Sequence, residues 1–105
     1  MKIYIAGPMT GKPNWNIEAF SAAERTLSAM GHTVLNPAAH TPQCRPEDIA
    51  HVQYMKIALA MVEAVDMVLL LDGWEKSKGA CAEYNYAIKN GKTVGTYAFF
   101  MEDNR

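Results

Sequence analysis

Hydrophobic positions fall along this chain in short β-rich runs that alternate with helical stripes. Lys2 to Ala6 is an apolar run closed by Gly7-Pro8, which predicts a buried strand. Two glycines and two prolines between Gly7 and Asn14 mark irregular backbone. Asn14 or Asn16 then stands where a helix cap belongs. Ile17, Phe20, Ala23, Leu27 and Met30 lie on one face of the helix that follows, and Gly31 is its stop. His32 to Pro37 reads as a second strand, and Ala38 to Arg45 as a loop. Pro46-Glu47-Asp48 has the proline and acids of a helix start.

That second helix, Pro46 to Ala64, carries two apolar stripes. One is Val52, Met55, Leu59 and Val62; the other is Tyr54, Ala58, Met61 and Val65. A helix apolar on two faces is covered on both, by the sheet and by another helix or a second subunit. Met67 to Leu71 is unbroken in its hydrophobicity, as in a parallel strand buried on both faces. Asp72 to Lys76 is a loop, a third helix runs from Ser77 or Lys78 to Asn90, and Gly91 ends it. Thr93 to Phe99 reads as a last strand, and Met101 to Arg105 as a polar tail. The order βαβαβαβ with short connections predicts an α/β fold: a single-domain, three-layer sandwich over 1–105. Its centre is a flavodoxin- or Rossmann-like parallel sheet of four or five strands with helices on both faces.

Composition narrows the function classes. Half of the 105 residues are hydrophobic, 20% are charged, and the net charge is -1. Lysines and arginines are scattered, which argues against a nucleic-acid or polybasic membrane binder. No apolar run reaches the roughly 20 residues of a membrane span, and the first run is too short for a signal peptide. Two cysteines, Cys44 and Cys81, fit a reducing, cytoplasmic setting. His32, His40 and His51 lack zinc-site spacing, so no metal is expected.

Ligands of open parallel sheets bind beyond the carboxyl ends of the strands. Three stretches meet there: Gly7 to Asn14, Asn36 to His40, and Asp72 to Gly79. The first is neither a dinucleotide fingerprint nor a Walker loop, and reads as a plain turn or as backbone that a ligand can approach closely. Ser77-Lys78-Gly79-Ala80 opens a helix, so Ser77 is either an ordinary cap or part of a phosphate site, with Lys76 or Lys78 adding charge. Glu83 shares the stripe of Ala80, Tyr84, Ala87 and Ile88. A carboxylate on an apolar face is costly unless paired or used. Tyr4 is a core aromatic or a phenol that orients such a carboxylate. Trp15 and Trp74 flank the loops, as base-stacking rings or as lids over the core.

These residues together carry a resemblance. Tyr4-Ile5-Ala6-Gly7-Pro8-Met9-Thr10-Gly11, Asn36-Pro37, and Asp72 to Ala80 with Glu83 resemble the nucleoside 2-deoxyribosyltransferase superfamily over nearly the whole chain. The nearest likeness is to a branch of small proteins common in phages and prophages. The resemblance implies cleavage or exchange of the N-glycosidic bond of 2-deoxyribonucleosides or their 5-monophosphates. It implies Glu83 as the nucleophile and Tyr4 as its orienting partner. Gly7, Pro8 and Met9 would line the base and sugar pocket, and Ser77 and Gly79 would hold the 5-phosphate. Transferases of free nucleosides tend to carry an acid at the Ser77 position, so serine there points toward nucleotides. Asn36, Asp72 and Trp74 complete the expected substrate-binding set. The resemblance further implies no cofactor, a small-molecule partner, and a homodimer or larger assembly.

The chain departs from the pattern at Ala58, where relatives commonly carry an Asp eight residues before the one that opens the central strand. That Asp helps to bind the sugar hydroxyl or to handle the leaving base's proton, and Asp72 or Asp48 is a possible substitute. The alternative is therefore a non-catalytic nucleotide-binding protein on the same fold. A flavodoxin-like electron carrier ranks below both, because acidic excess and a Ser/Thr-rich phosphate loop are absent.

Overall fold

The first strand, β1 (Lys2–Ala6), lies inside the sheet, because both faces of its side chains are apolar. In the computed structural model, which describes residues 1–40 and 51–104, it pairs in parallel with β2 (Thr33–Leu35) on one side. On its other side it pairs with β3 (Met67–Leu70), whose outer neighbour is β4 (Thr93–Thr96). The order is β2-β1-β3-β4, all parallel.

Strand alternation sorts the core into two layers. Ile3 and Ile5 of β1 and Leu69 of β3 face one way, onto α1 (Ile17–Ala29) and the C-terminal helix. Phe20, Ala23 and Leu27 of α1 meet them there with Phe100. Tyr4, Ala6, Val68 and Leu70 face the opposite layer, where Val62 and Ala87 pack. Those two residues belong to α3 (His51–Glu63) and α4 (Lys78–Lys89), which follow the short helical turn α2 (Pro37–His40). Fully burying each large aliphatic side chain contributes about 1.5–3 kcal/mol. The three layers and the parallel sheet match the expected architecture, with four strands among the described residues.

Local signals set the ends of these elements. Gly31 adopts φ +95°, and the amide of His32 reaches back to the Leu27 carbonyl at 3.2 Å. That is a Schellman stop, which a left-handed glycine permits. The end of α4 repeats it, with the Lys92 amide on the Ala87 carbonyl at 2.9 Å.

Some expectations are corrected. The last strand stops at Thr96, whose hydroxyl accepts the Phe99 amide at 3.1 Å and starts α5 (Tyr97–Asp103). The expected polar tail is thus mostly helix. Asn16 holds the N-cap position of α1 but makes no side-chain cap bond: Asn14 and Asn16 are both left-handed, and the Asn16 amide donates to the Pro8 carbonyl at 2.9 Å. Ile88 is exposed rather than on the buried stripe of α4. The expected helix start at Pro46-Glu47-Asp48 lies outside the described residues, as does Cys44. Among the described residues, no helix is long and apolar enough to cross a membrane.

Candidate functional site

The chain leaves β1 toward α1 on one face and leaves β3 toward α4 on the other. Adjacent parallel strands whose connections part in this way open a crevice at their carboxyl ends. Gly7 forms the floor of the divergence. A Cβ at this position would lie 2.9 Å from the Leu71 Cβ, so a side chain there would push the two loops apart.

The crevice holds a cavity of about 620 Å³. Gly7, Pro8, Met9, Thr10 and Lys12 of the first loop form one wall. Gly73 and Lys76–Ala80 form the second, Glu83 lies at the inner end, and Tyr54 and Met55 of α3 close the third side. Its volume is in the range of small-molecule sites.

Glu83 reaches this cavity from the second turn of α4 and is 95% shielded from solvent by relative area. Its Oε2 accepts a hydrogen bond from the Tyr4 hydroxyl. Strand alternation explains the pairing: Tyr4 points to the α4 side of the sheet, and its ring is fully buried. Burial pushes the Glu83 carboxyl up to about 7, while the Tyr4 hydrogen bond pulls it back toward the ionised form. Burial, then the neighbouring Glu83 charge, holds the Tyr4 phenol well above its ordinary value, so it remains a donor. A carboxylate of this kind is held in place and takes or loses its proton near neutral pH.

At the other end of the cavity, Ser77 is the N-cap of α4, and its Oγ accepts the Ala80 amide at 3.1 Å. This helix start presents its positive dipole end to the cavity, and Lys12, Lys76 and Lys78 also line it. The cavity therefore has a carboxylate end and a cationic end.

The expected site residues do not all converge here. Glu83, Gly7, Pro8, Met9, Ser77 and Gly79 line the cavity, and Tyr4 stands behind Glu83. Asn36 does not: it is buried at the end of β2, where its amide donates to Glu24 and its Oδ1 accepts the Ala38 amide at 2.9 Å. Edge strand β2 lies beyond β1, away from the β1–β3 crevice. Trp74 is turned away as well, with its ring 5.0 Å from that of Tyr84 over the α3–α4 core. Asp72 borders a separate hollow of about 320 Å³ on the α1 side, with Asn16 and Tyr97. Ala58 is fully buried and lines neither cavity.

Lys12 lies in the first of the expected stretches, whereas Tyr54 and Met55 of α3 were read only as stripe positions of a packed helix. Tyr54 donates its hydroxyl to the Met9 Sδ at 3.1 Å, and burial and the Glu83 charge push its phenol up to about 12. The available signal was a polar-tipped ring on an otherwise aliphatic helix stripe. Among the described residues, no group of three His, Cys, Asp or Glu side chains is placed to hold a metal ion.

The architecture is similar to that of solved 2-deoxyribosyltransferases. The enzyme from Leishmania mexicana superposes with a TM-score of 0.69 at 21% identity, over 90% of this chain and 62% of that one. The enzyme from Bacillus psychrosaccharolyticus gives 0.70 at 23% identity, over 90% and 69%. This chain thus spans about two-thirds of their length, and it has a nucleoside 2-deoxyribosyltransferase-like fold. No curated protein sequence matches it. The profile of a family described as a domain of unknown function, DUF4406, matches residues 1–96, and the chain belongs to that family.

Proposed function

We propose that the cavity binds a 2-deoxyribonucleoside 5-monophosphate and that Glu83 cleaves or transfers its N-glycosidic bond. The observation that carries this reading is the buried Glu83–Tyr4 pair facing a cavity whose far end is cationic. The names of the two structural neighbours, both 2-deoxyribosyltransferases, support the same chemistry. A Glu83 oxygen attacks C1 of the sugar, and the C1–N bond breaks. The bond's electrons leave with the base, which takes up a proton. The sugar is then esterified to Glu83. Water, or the nitrogen of a second base, attacks C1 in turn and frees the carboxylate, with retention of configuration. Tyr4 holds the carboxylate in place through its Oε2, and Pro8 and Met9 flank the sugar and base. The α4 N-terminus and the three lysines attract the phosphate.

The test is to incubate the protein with each deoxynucleoside monophosphate and to measure free base. Release that disappears in Glu83→Gln supports the reading. Tight binding with no base release supports the second reading, a nucleotide-binding protein without catalysis. That reading is favoured by the absence of a second carboxylate among the described residues lining the cavity. The free thiol of Cys81 fits a reducing, cytoplasmic setting. The proposal includes a homodimer or higher oligomer joined through α3, since Val52 is 63% exposed on an apolar helix. A monomer in sedimentation at micromolar concentration would contradict that part.

A further inference from the structure

Tyr54 is a polar side chain of the cavity to which the mechanism above gives no task. Tyr54 lines the cavity from α3, and its hydroxyl donates to the Met9 Sδ at 3.1 Å. A thioether is a weak acceptor, so an incoming oxygen makes a better partner at little cost. The other hydroxyls near the cavity are bonded to Glu83, seated at the α4 N-terminus or peripheral. That of Tyr4 is fully buried and bonded to Glu83, that of Ser77 accepts the Ala80 amide, and Thr10 is exposed. Burial, and then the nearby Glu83 charge, keep the Tyr54 phenol protonated.

The stereochemistry of a β-nucleoside says what such a donor meets. The base and the 5-carbon project from one face of the furanose ring, and the 3-hydroxyl projects from the other. A nucleophile that displaces the base approaches the face opposite the base. Glu83, placed for attack, therefore shares its side of the ring with the 3-hydroxyl. Tyr54, which donates to a weak sulfur acceptor, lies near enough to Glu83 to feel its charge. We propose that the Tyr54 hydroxyl leaves Met9 and hydrogen-bonds the substrate's 3-hydroxyl, so that Tyr54 selects for sugars that carry it. This inference rests on the functional reading above, and deepens it by naming the sugar group that the cavity recognises.

The experiment titrates the intact protein calorimetrically with the four 2-deoxynucleoside 5-monophosphates, each beside its 2,3-dideoxy counterpart. A neutral hydrogen bond corresponds to about three- to tenfold in affinity. The wild type is expected to prefer the 3-hydroxyl by that factor for at least one base. Tyr54→Phe keeps the ring and is expected to bind both members of the pair equally, at the wild type's dideoxy affinity. That unchanged affinity also reports an intact fold. A preference retained in Tyr54→Phe overturns the role of Tyr54. A wild type that binds both members of every pair equally also overturns it, and leaves the functional reading standing. A wild type that binds no monophosphate overturns both.

Discussion

Replacing Tyr4 with Phe removes one hydroxyl from a fully buried ring and leaves Glu83 without its phenolic donor. Burial alone lifts this carboxyl above its ordinary 4.5, and the Tyr4 hydrogen bond is what limits the rise to about 7. A hydrogen bond to a charged group contributes roughly 1.5–3 kcal/mol. One pKa unit corresponds to about 1.4 kcal/mol. The bond favours the ionised form, so its loss should move the Glu83 titration upward by about one to two units. The nucleophile must be ionised, so base release rises with pH through this titration. The acidic limb of the kcat/KM profile should shift from a midpoint near 7 toward about 8 to 9, with much of the lost activity recovered at high pH. Initial rates of base release from pH 5 to 10 measure it, and carbon-13 NMR of labelled glutamate reads the titration directly. A midpoint that stays in place while the plateau falls would mean that Tyr4 serves only as packing. A downward shift would refute the electrostatic argument outright.

Glu83→Gln should abolish base release, because a neutral amide is a poor nucleophile. It should also change how stability depends on pH. The folded carboxyl titrates near 7 against 4.5 unfolded, so the folded state binds its proton more tightly. The wild type therefore loses on the order of 3 kcal/mol at this site as pH rises through that window, and Gln does not. Urea unfolding of both proteins at pH 5 and pH 8 tests this. Ser77→Ala removes the bond to the Ala80 amide and should cost about 1 kcal/mol as a lost cap. It should also narrow any affinity advantage of a monophosphate over its nucleoside, read by calorimetric titration. Gly7→Ala brings a methyl against Leu71 and should destabilise by about 1–3 kcal/mol, with weaker ligand binding as the loops part. Denaturation midpoints and titration of the same samples check both effects.

The interior strands were legible because β1 and β3 are buried on both faces and so read as continuous apolar runs. The Glu83–Tyr4 pairing was legible for a different reason. A carboxylate on an otherwise apolar helix face demands a partner, and Tyr4 is a phenol on a buried strand. The last element was misread because Tyr97-Ala98-Phe99-Phe100-Met101 is apolar throughout, and such a run suits either a strand or a helix. Tyr97, Phe100 and Met101 pack inward at helical spacing while Phe99 is 69% exposed, and only Thr96 marks the start. Asn36 was grouped with the site because it ends a strand. Whether a strand's end reaches the ligand depends on its place in the sheet, and sequence order puts β2 next to β1 without saying on which side. Tyr54 was read as core, since periodicity locates a side chain's stem but not its hydroxyl.

The two edges of the sheet constrain how copies of this protein can meet. β2 offers three residues and β4 four; helix follows β2 after Asn36, at Pro37, and follows β4 directly, at Tyr97. So little unpaired backbone is a poor template for a neighbour's strand, and short edges are one way in which proteins resist edge-to-edge aggregation. Self-association by sheet extension is thereby disfavoured, and contact between copies passes to the helical layers. The α3–α4 layer also walls the cavity. A partner docking on that layer would sit beside the ligand, whereas one docking on the α1–α5 layer would be separated from it by the full thickness of the sheet.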